Sequence, residues 1–162
     1  MAYYAYQKYI TYPEGLNWLV CDVEEVALEG RRVAERKQDK VIDFTTDVKD
    51  GDGKDIFFAS GSLQYMEQSL AEMLADFDNM PQHLIINLLP VHDEKEFYTL
   101  QNIGFSFCPY HIFKADKFIA AVLDLGYEIV DRWHNPEKEC QIPFNEGESL
   151  DFYSGFYFRS TR

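Results

Sequence analysis

The chain is short of basic residues and of long apolar runs, and each shortage excludes a class of partner. It has 15 Lys and Arg against 28 Asp and Glu, a formal charge of −13. Phosphate backbones are bound by clustered basic side chains, so nucleic acid is excluded as a partner. No segment approaches the ~20 apolar residues of a membrane-spanning helix, and the first residues lack the layout of a secretory signal. We therefore expect a cytoplasmic protein without a membrane partner.

Cysteine is also scarce, and its spacing points to no metal or disulfide framework. Cys21, Cys108 and Cys140 are odd in number, widely separated and outside any CxxC pair, as is usual for reduced cytosolic thiols. No combination of His, Cys and carboxylate has the spacing of a metal site. P-loop, dinucleotide and G-x-S-x-G patterns are missing too, so hydrolase and nucleotide-fingerprint interpretations have no motif to support them.

What the chain does contain is an alternation of apolar strands with amphipathic helices. Its length predicts one domain over residues 1–162. Strands are predicted at 17–22, 40–44, 55–59, 83–89, 127–133 and 152–159, and helices at 3–10, 23–37, 69–78 and 114–125. The alternation predicts a doubly wound, mostly parallel α/β sheet. The last two strands are joined by the loop 135–150 without a helix, which predicts an antiparallel C-terminal strand.

Ligands of open α/β sheets bind beyond the carboxyl ends of the strands, and the first two such ends carry Asp22 and Thr45. Asp22 stands where nucleotide-binding folds place an acid that accepts hydrogen bonds from ribose hydroxyls; the alternative is an Asp that caps the next helix. Thr45 could contact an adenine ring, but closing a turn is the simpler role. Both are candidate cofactor contacts.

The next strand ends in a richer segment, Ser60-Gly61-Ser62-Leu63-Gln64-Tyr65. Gly61 would let the backbone approach a ligand, and Ser60, Gln64 and Tyr65 offer polar groups. The alternative is a loop that only leads into the helix capped by Ser69. We favour a cofactor site, because a polar segment containing glycine directly follows a strand.

Two histidines are candidate catalytic bases, because histidine titrates near neutral pH. His92 follows the strand 83–89, and His111 lies further along in Cys108-Pro109-Tyr110-His111. The alternative for each is a solvated loop side chain. We assign Gln101 and Tyr110, which lie between and beside these histidines, to the acceptor side of the site.

Three segments resemble a known family: residues 55–67 (DIFFASGSLQYME), 108–113 (CPYHIF) and 126–133 (GYEIVDRW). Together they are similar to a bacterial family of class I S-adenosylmethionine-dependent methyltransferases, and the likeness extends over nearly the whole chain. The dipeptide Pro109-Tyr110 departs from the family's order. The resemblance implies a Rossmann-like methyltransferase sheet, S-adenosylmethionine as cofactor, Asp22 on its ribose, and residues 60–65 beside its methionine and methyl group.

The resemblance also implies that the chain is truncated at its N-terminus. The family's first strand and glycine-rich cofactor loop would precede Met1. In the family's sheet that strand lies between the second and the fourth, so its loss would leave unpaired backbone groups. Either the two neighbouring strands, around Leu19 and Phe57, pair directly, or a homodimer or partner chain completes the sheet.

Two functions follow. The first is methyl transfer from S-adenosylmethionine to an oxygen or nitrogen of a small, sugar-like acceptor, with His92 or His111 as base. The alternative is a non-catalytic remnant that serves as an interaction or structural subunit.

Overall fold

Two compact units make up the chain: the first ends at Gly51, and the second is Asp52–Arg162. The computed structural model describes residues 2–162, apart from the side chain of Glu146. No helix within that range is both long and apolar enough to cross a lipid bilayer.

The first unit is a helix followed by a β-α-β motif. Its elements are α1 (Ala2–Tyr6), β1 (Trp18–Cys21), α2 (Glu24–Lys37) and β2 (Ile42–Thr45). β1 and β2 are parallel, with Cys21 opposite Thr45 at their carboxyl ends. The predicted helix 3–10 is wrong in length, since α1 ends at Tyr6 and residues 7–9 form turns.

The core of the first unit explains a glycine in the middle of α2. The buried residues are Tyr3, Ala27, Ala34, Ile42 and Phe44. A Cβ built on Gly30 would lie 2.2 Å from Cε1 of Phe44. A glycine here costs roughly 1 kcal/mol of helix propensity, but it lets α2 pack directly on the β2 side chain.

The second unit contains two sheets. Its elements are β3 (Ile56–Ser60), α3 (Leu70–Ala75), β4 (His83–Leu89), β5 (Val91–His92), β6 (Phe97–Asn102), β7 (Phe107–Lys114), α4 (Ala115–Asp124), β8 (Tyr127–Asn135) and β9 (Tyr153–Ser160). One sheet has the order β3-β4-β9-β8, with β3 and β4 parallel and β9 antiparallel to both β4 and β8. The other has the order β5-β7-β6. The mixed α/β fold with an antiparallel C-terminal strand is therefore confirmed.

Several local predictions are confirmed in the second unit. Ser69 caps α3 as expected, and its capping box is completed by Glu72; Gly126 ends the predicted helix 114–125, with φ of +89°. The predicted helix 69–78 is too long, because α3 ends at Ala75. The connection between β8 and β9 has one isolated bridge, Cys140 with Leu150, and a short 3₁₀ helix.

No strand is predicted over residues 91–113, and this is wrong: β5 and β6 lie there, and β7 extends to Lys114, the residue at which the predicted helix begins. β6 and β7 form an antiparallel hairpin. The burial of residues 97–102 alternates as in a strand with one covered face, but their sequence, FYTLQN, has polar and apolar side chains on both faces. His92 and His111 therefore lie in strands and not in loops.

In backbone pairing, β1 has β2 as its partner and β3 has β4. Over residues 2–162, neither β1 nor β3 pairs with a strand along its other edge. The direct pairing of the strands around Leu19 and Phe57 is thus not observed.

Candidate functional site

Polar groups collect where β3 and β4 end. The Gly61 N–H donates to the Asn87 carbonyl at 2.9 Å, and the Asn87 side-chain amide donates to Ser60 Oγ at 3.2 Å. Gly61 has φ of +67° and Leu88 has φ of +52°. A non-glycine residue in the left-handed region is uncommon, and such strained backbone is typical of binding sites. The predicted residues Ser60 and Gly61 therefore lie together at a locally strained strand end.

Asn87 is the centre of this polar group. Its Oδ1 accepts hydrogen bonds from Trp133 Nε1 at 3.0 Å and from Asn135 Nδ2 at 3.1 Å. The Asn135 amide also donates to the Tyr153 carbonyl at 3.3 Å. Sequence reasoning missed Asn87, Trp133 and Asn135. The one available signal was an asparagine inside the otherwise apolar run of β4.

A cluster of tyrosines and glutamines lies in the same unit. Tyr110 Oη and Tyr153 Oη are 2.7 Å apart, and the Gln64 amide donates weakly to Tyr110 Oη at 3.5 Å. Tyr65 donates to Gln101 Oε1 at 2.6 Å, and its ring meets the Tyr110 ring edge-on at 5.2 Å. The structure thus brings together the predicted residues Gln64, Tyr65, Gln101 and Tyr110.

This tyrosine cluster is uncharged at neutral pH. Burial, followed by the hydrogen bond with Tyr153, raises the pKa of Tyr110 far above its ordinary value. Burial also raises the pKa of Tyr153 to about 12. Both hydroxyls keep their protons and remain hydrogen-bond donors.

One atom of the cluster lacks a partner. Gln64 is 4% exposed, and its Oε1 is buried without a hydrogen bond from any described residue. A buried carbonyl left unpaired costs roughly 1–3 kcal/mol. Such a group needs an explanation, and a donor supplied by a ligand is one.

His111 lines a cleft of about 320 Å³ together with Met66, Tyr98 and Phe113. Its ring lies 4.3 Å from the Tyr98 ring and 4.0 Å from the Phe113 ring, and its Nε2 is 3.1 Å from Glu96 Oε1. Burial lowers the pKa of His111, an effect that the Glu96 carboxylate opposes. His111 is therefore neutral at physiological pH and able to take up a proton.

His92 lines a different cleft, of about 300 Å³, with Asp93, Arg132 and Asp151. Its Nδ1 accepts the backbone N–H groups of Glu94 and Lys95 at 3.0 and 3.1 Å. In the neutral ring the proton consequently sits on Nε2, which is 3.7 Å from Glu148 Oε2. Both ring nitrogens already have neighbours.

The two candidate bases face opposite sides of the β5-β7-β6 sheet. His92 contacts the ring of Phe97, which pairs with Ile112, whereas His111 pairs with Tyr98. Side chains alternate along a strand, so these two pairs lie on opposite faces. The structure does not bring His92 and His111 together.

In the first unit, Asp22 and Thr45 lie at the adjacent carboxyl ends of β1 and β2, and the Asp22 N–H donates to the Thr45 carbonyl at 3.1 Å. Asp22 is exposed, and its Oδ1 accepts the Val23 N–H at 2.8 Å. The N-cap residue of α2 is Val23, without a side-chain cap, so the capping alternative for Asp22 is not what the structure contains.

The Thr45 hydroxyl is occupied within its turn. It accepts the Asp47 N–H at 3.1 Å and bonds to the Asp50 carboxylate. Nearby, burial and the carboxylates of Asp22, Asp47 and Asp50 raise the pKa of the Cys21 thiol. The carboxyl end of this sheet is thus strongly acidic. No three described His, Cys, Asp or Glu side chains anywhere in the chain are grouped so that they could hold a metal ion.

Comparisons with known proteins establish the fold. No protein-family model matches the sequence, and no curated protein matches it. Among solved structures, a Listeria monocytogenes protein proposed to be an S-adenosylmethionine-dependent methyltransferase is 11% identical, with a TM-score of 0.58, over 99% of this chain and 98% of that one.

Two further structures contain S-adenosylhomocysteine. One is the Burkholderia thailandensis 1,6-didemethyltoxoflavin-N1-methyltransferase, 17% identical with a TM-score of 0.54, which covers 83% of this chain. The other is the N-terminal domain of EvdMO1, 14% identical with a TM-score of 0.55 over 91% of this chain. The chain spans 57% and 66% of those two proteins. At these identities the likeness shows that the chain shares its fold with these proteins, and nothing further.

Proposed function

We propose that the chain is an S-adenosylmethionine-dependent methyltransferase that acts on an oxygen or nitrogen of a small, sugar-like acceptor. The observation that carries the proposal is the uncharged polar cluster of the second unit, with the buried, unpartnered Gln64 Oε1, on a fold shared with methyltransferases. Residues 2–162 would form one domain, as the match over nearly the full length of the Listeria protein suggests.

Each unit, taken by itself, has residues at its strand ends that would suit the cofactor. The exposed Asp22 carboxylate has an oxygen available for ribose hydroxyls, and Thr45 flanks it. In the second unit, Gly61 follows β3 and has no side chain to block the approach of a ligand, and Ser60, Gln64 and Tyr65 offer hydrogen bonds beside it. When bound, S-adenosylmethionine supplies an electrophilic methyl group on sulfur.

On the acceptor side, the chain orients a substrate and takes up its proton. Gln101 and Tyr110 would hold the acceptor through neutral hydrogen-bonding groups. Of the two bases, His111 has the carboxylate that would stabilise a protonated ring, Glu96 at 3.1 Å. It lies on the opposite face of the β6–β7 hairpin from Gln101 and Tyr110, so its action on an acceptor held by them requires the acceptor to reach around the hairpin. His92 can act only after its Nε2 or Nδ1 is released from its present neighbours.

The proposal is tested by calorimetric titration of the chain with S-adenosylhomocysteine. We expect saturable binding that Asp22→Ala weakens by about 10- to 100-fold, the value of a hydrogen bond to a charged group. The matched control is Asp43→Ala: Asp43 is also exposed, and it accepts the N–H of its following residue at 2.8 Å. Circular dichroism must show that each variant is folded. No binding by the folded wild type, or equal losses in both variants, would contradict the proposed site.

A non-catalytic interaction subunit is the second candidate. It is favoured by the scarcity of groups that could act as a base. Both ring nitrogens of His92 already have hydrogen-bonding neighbours, and the tyrosines keep their protons. His111 is then the one candidate base that can take up a proton without first giving up a hydrogen bond. In that case the open edges of β1 and β3 would receive a strand from a partner chain. Two results together would support this candidate. The chain would bind S-adenosylhomocysteine with an affinity that His111→Gln leaves unchanged, and with S-adenosylmethionine it would methylate none of a panel of sugar and amine acceptors.

A further inference from the structure

Asn87 lies between two sets of polar groups near the carboxyl end of β4. On one side, its Oδ1 accepts hydrogen bonds from Trp133 Nε1 at 3.0 Å and from Asn135 Nδ2 at 3.1 Å. On the other side, its Nδ2 lies 3.2 Å from Ser60 Oγ, at the end of β3. All four residues belong to the second unit. We call them the Asn87 network.

One side chain sets the direction of the hydrogen bonds in the Asn87 network. The indole N–H of Trp133 can only donate, so the Asn87 atom that faces it must be the carbonyl oxygen. The amide nitrogen of Asn87 then faces Ser60, and because that nitrogen is only a donor, Ser60 Oγ must accept. Asn135 agrees with this orientation, since its Nδ2 also donates to the Tyr153 carbonyl at 3.3 Å.

The hydroxyl hydrogen of Ser60 is consequently turned away from Asn87. Within residues 2–162 this hydrogen has no acceptor, and the Ser60 side chain is exposed. Segments 56–66 and 84–91, which meet here, contain no charged side chain. A hydroxyl that accepts a hydrogen bond becomes a stronger donor, because hydrogen bonds in a chain polarise one another. Ser60 therefore presents a polarised donor to a ligand at this strand end.

We propose that Asn87 is a positioning residue: held by Trp133, it directs the Ser60 hydroxyl hydrogen towards an acceptor atom of the bound ligand. The inference rests on the proposed function, in which Ser60 contacts S-adenosylmethionine, and it adds the direction of that contact. The cofactor group that meets this hydrogen must be an acceptor, as the carboxylate and ribose oxygens are and the ammonium is not.

Asn87→Asp tests the positioning role, because it keeps the shape of the side chain and reverses one hydrogen bond. A carboxylate still accepts from Trp133, but the oxygen that replaces the amide nitrogen can only accept, so the Ser60 hydrogen turns inward. In calorimetric titrations with S-adenosylhomocysteine, Ser60→Ala and Asn87→Asp should each weaken binding by roughly 3- to 10-fold, the value of one hydrogen bond. In a Ser60→Ala background, Asn87→Asp should cost less than ~3-fold, because the contact is already gone.

The indole N–H resonance of Trp133, observed by NMR, separates this role from a structural one. The chain has two tryptophans, and Trp133→Phe identifies which resonance belongs to Trp133. In Asn87→Asp the resonance should move downfield, because the indole now donates to a charged oxygen. A purely structural Asn87 predicts that a variant with this hydrogen bond intact also keeps full affinity.

Ser106→Ala is the matched control, because Ser106 is also an exposed serine and lies in the β6–β7 turn. It should bind as the wild type does. If Asn87→Asp does not fold, Asn87→Leu repeats the cycle without a charge. Wild-type affinity in Ser60→Ala, wild-type affinity in Asn87→Asp with its indole bond intact, or a position-87 effect that is the same with and without the Ser60 hydroxyl would overturn this inference alone. A folded wild type that binds no S-adenosylhomocysteine would overturn the proposed function as well.

Discussion

Replacing Gly155 by alanine should displace the Trp133 ring and disturb the polar group around Asn87. Gly155 pairs with Trp133 across β9 and β8. A Cβ built on Gly155 would lie 2.0 Å from Cε2 and 2.2 Å from Nε1 of that ring. Carbon atoms cannot approach so closely, and these contacts are with the interior of a rigid indole. The ring must therefore move, and its hydrogen bond to Asn87 Oδ1 is lost.

The expected cost follows from these two effects. Overpacking a fitted site costs about 1–3 kcal/mol, and the lost hydrogen bond adds about 1 kcal/mol. The free energy of unfolding should fall by roughly 2–4 kcal/mol, measured by urea denaturation followed by circular dichroism. Gly147→Ala is the control, because a Cβ there meets nothing within 4 Å.

A double-mutant cycle isolates the contact. In a Trp133→Ala background, Gly155→Ala should cost less than ~0.5 kcal/mol, because the ring that it strikes is gone. The reasoning is refuted if alanine at position 155 costs the same with and without the Trp133 ring, or if the single substitution is neutral in the wild type.

Three further predictions concern single side chains. Gln64→Leu should leave stability unchanged or raise it by up to ~2 kcal/mol, because the unpaired buried carbonyl that it removes costs more than the weak 3.5 Å hydrogen bond from the amide to Tyr110 Oη contributes; a clear loss in urea denaturation would contradict this. Gly30→Ala should lower stability by about 1–3 kcal/mol through the Phe44 ring, and Phe44→Leu should recover part of that loss; equal losses with and without the ring would contradict this. Because burial lowers the pKa of His111, its contribution to stability is present above pH ~6.5 and is lost as the pH falls through the folded-state pKa. His111→Phe should flatten that part of the stability–pH curve, and an unchanged curve would contradict the assignment.

Local patterns predicted most of the elements. The six apolar runs that are predicted as strands are all strands, and Ser69 caps α3 as expected. Such features depend on neighbouring residues, so a sequence contains them directly. The hairpin of β6 and β7 was not predicted, because residues 97–102, FYTLQN, have polar and apolar side chains on both faces and therefore no period-two hydrophobic pattern.

Part of the candidate site was also predictable from local sequence. Residues 60–65 follow a strand, and that position alone made them candidates. The hydrogen bonds of Asn87 with Trp133 and Asn135 join residues 46 and 48 positions apart, and the Tyr110–Tyr153 pair spans 43. No local pattern records such partners.

The sequence by itself determined the α/β class, six of the strands that the structure describes and the acidic composition, because periodicity and composition are properties of the chain. Only the tertiary structure decided which polar groups meet, that His92 and His111 face opposite sides of a sheet, and that Gln64 has a buried oxygen without a partner. Those facts depend on how distant strands pair, and strand pairing is set by the packing of the whole unit.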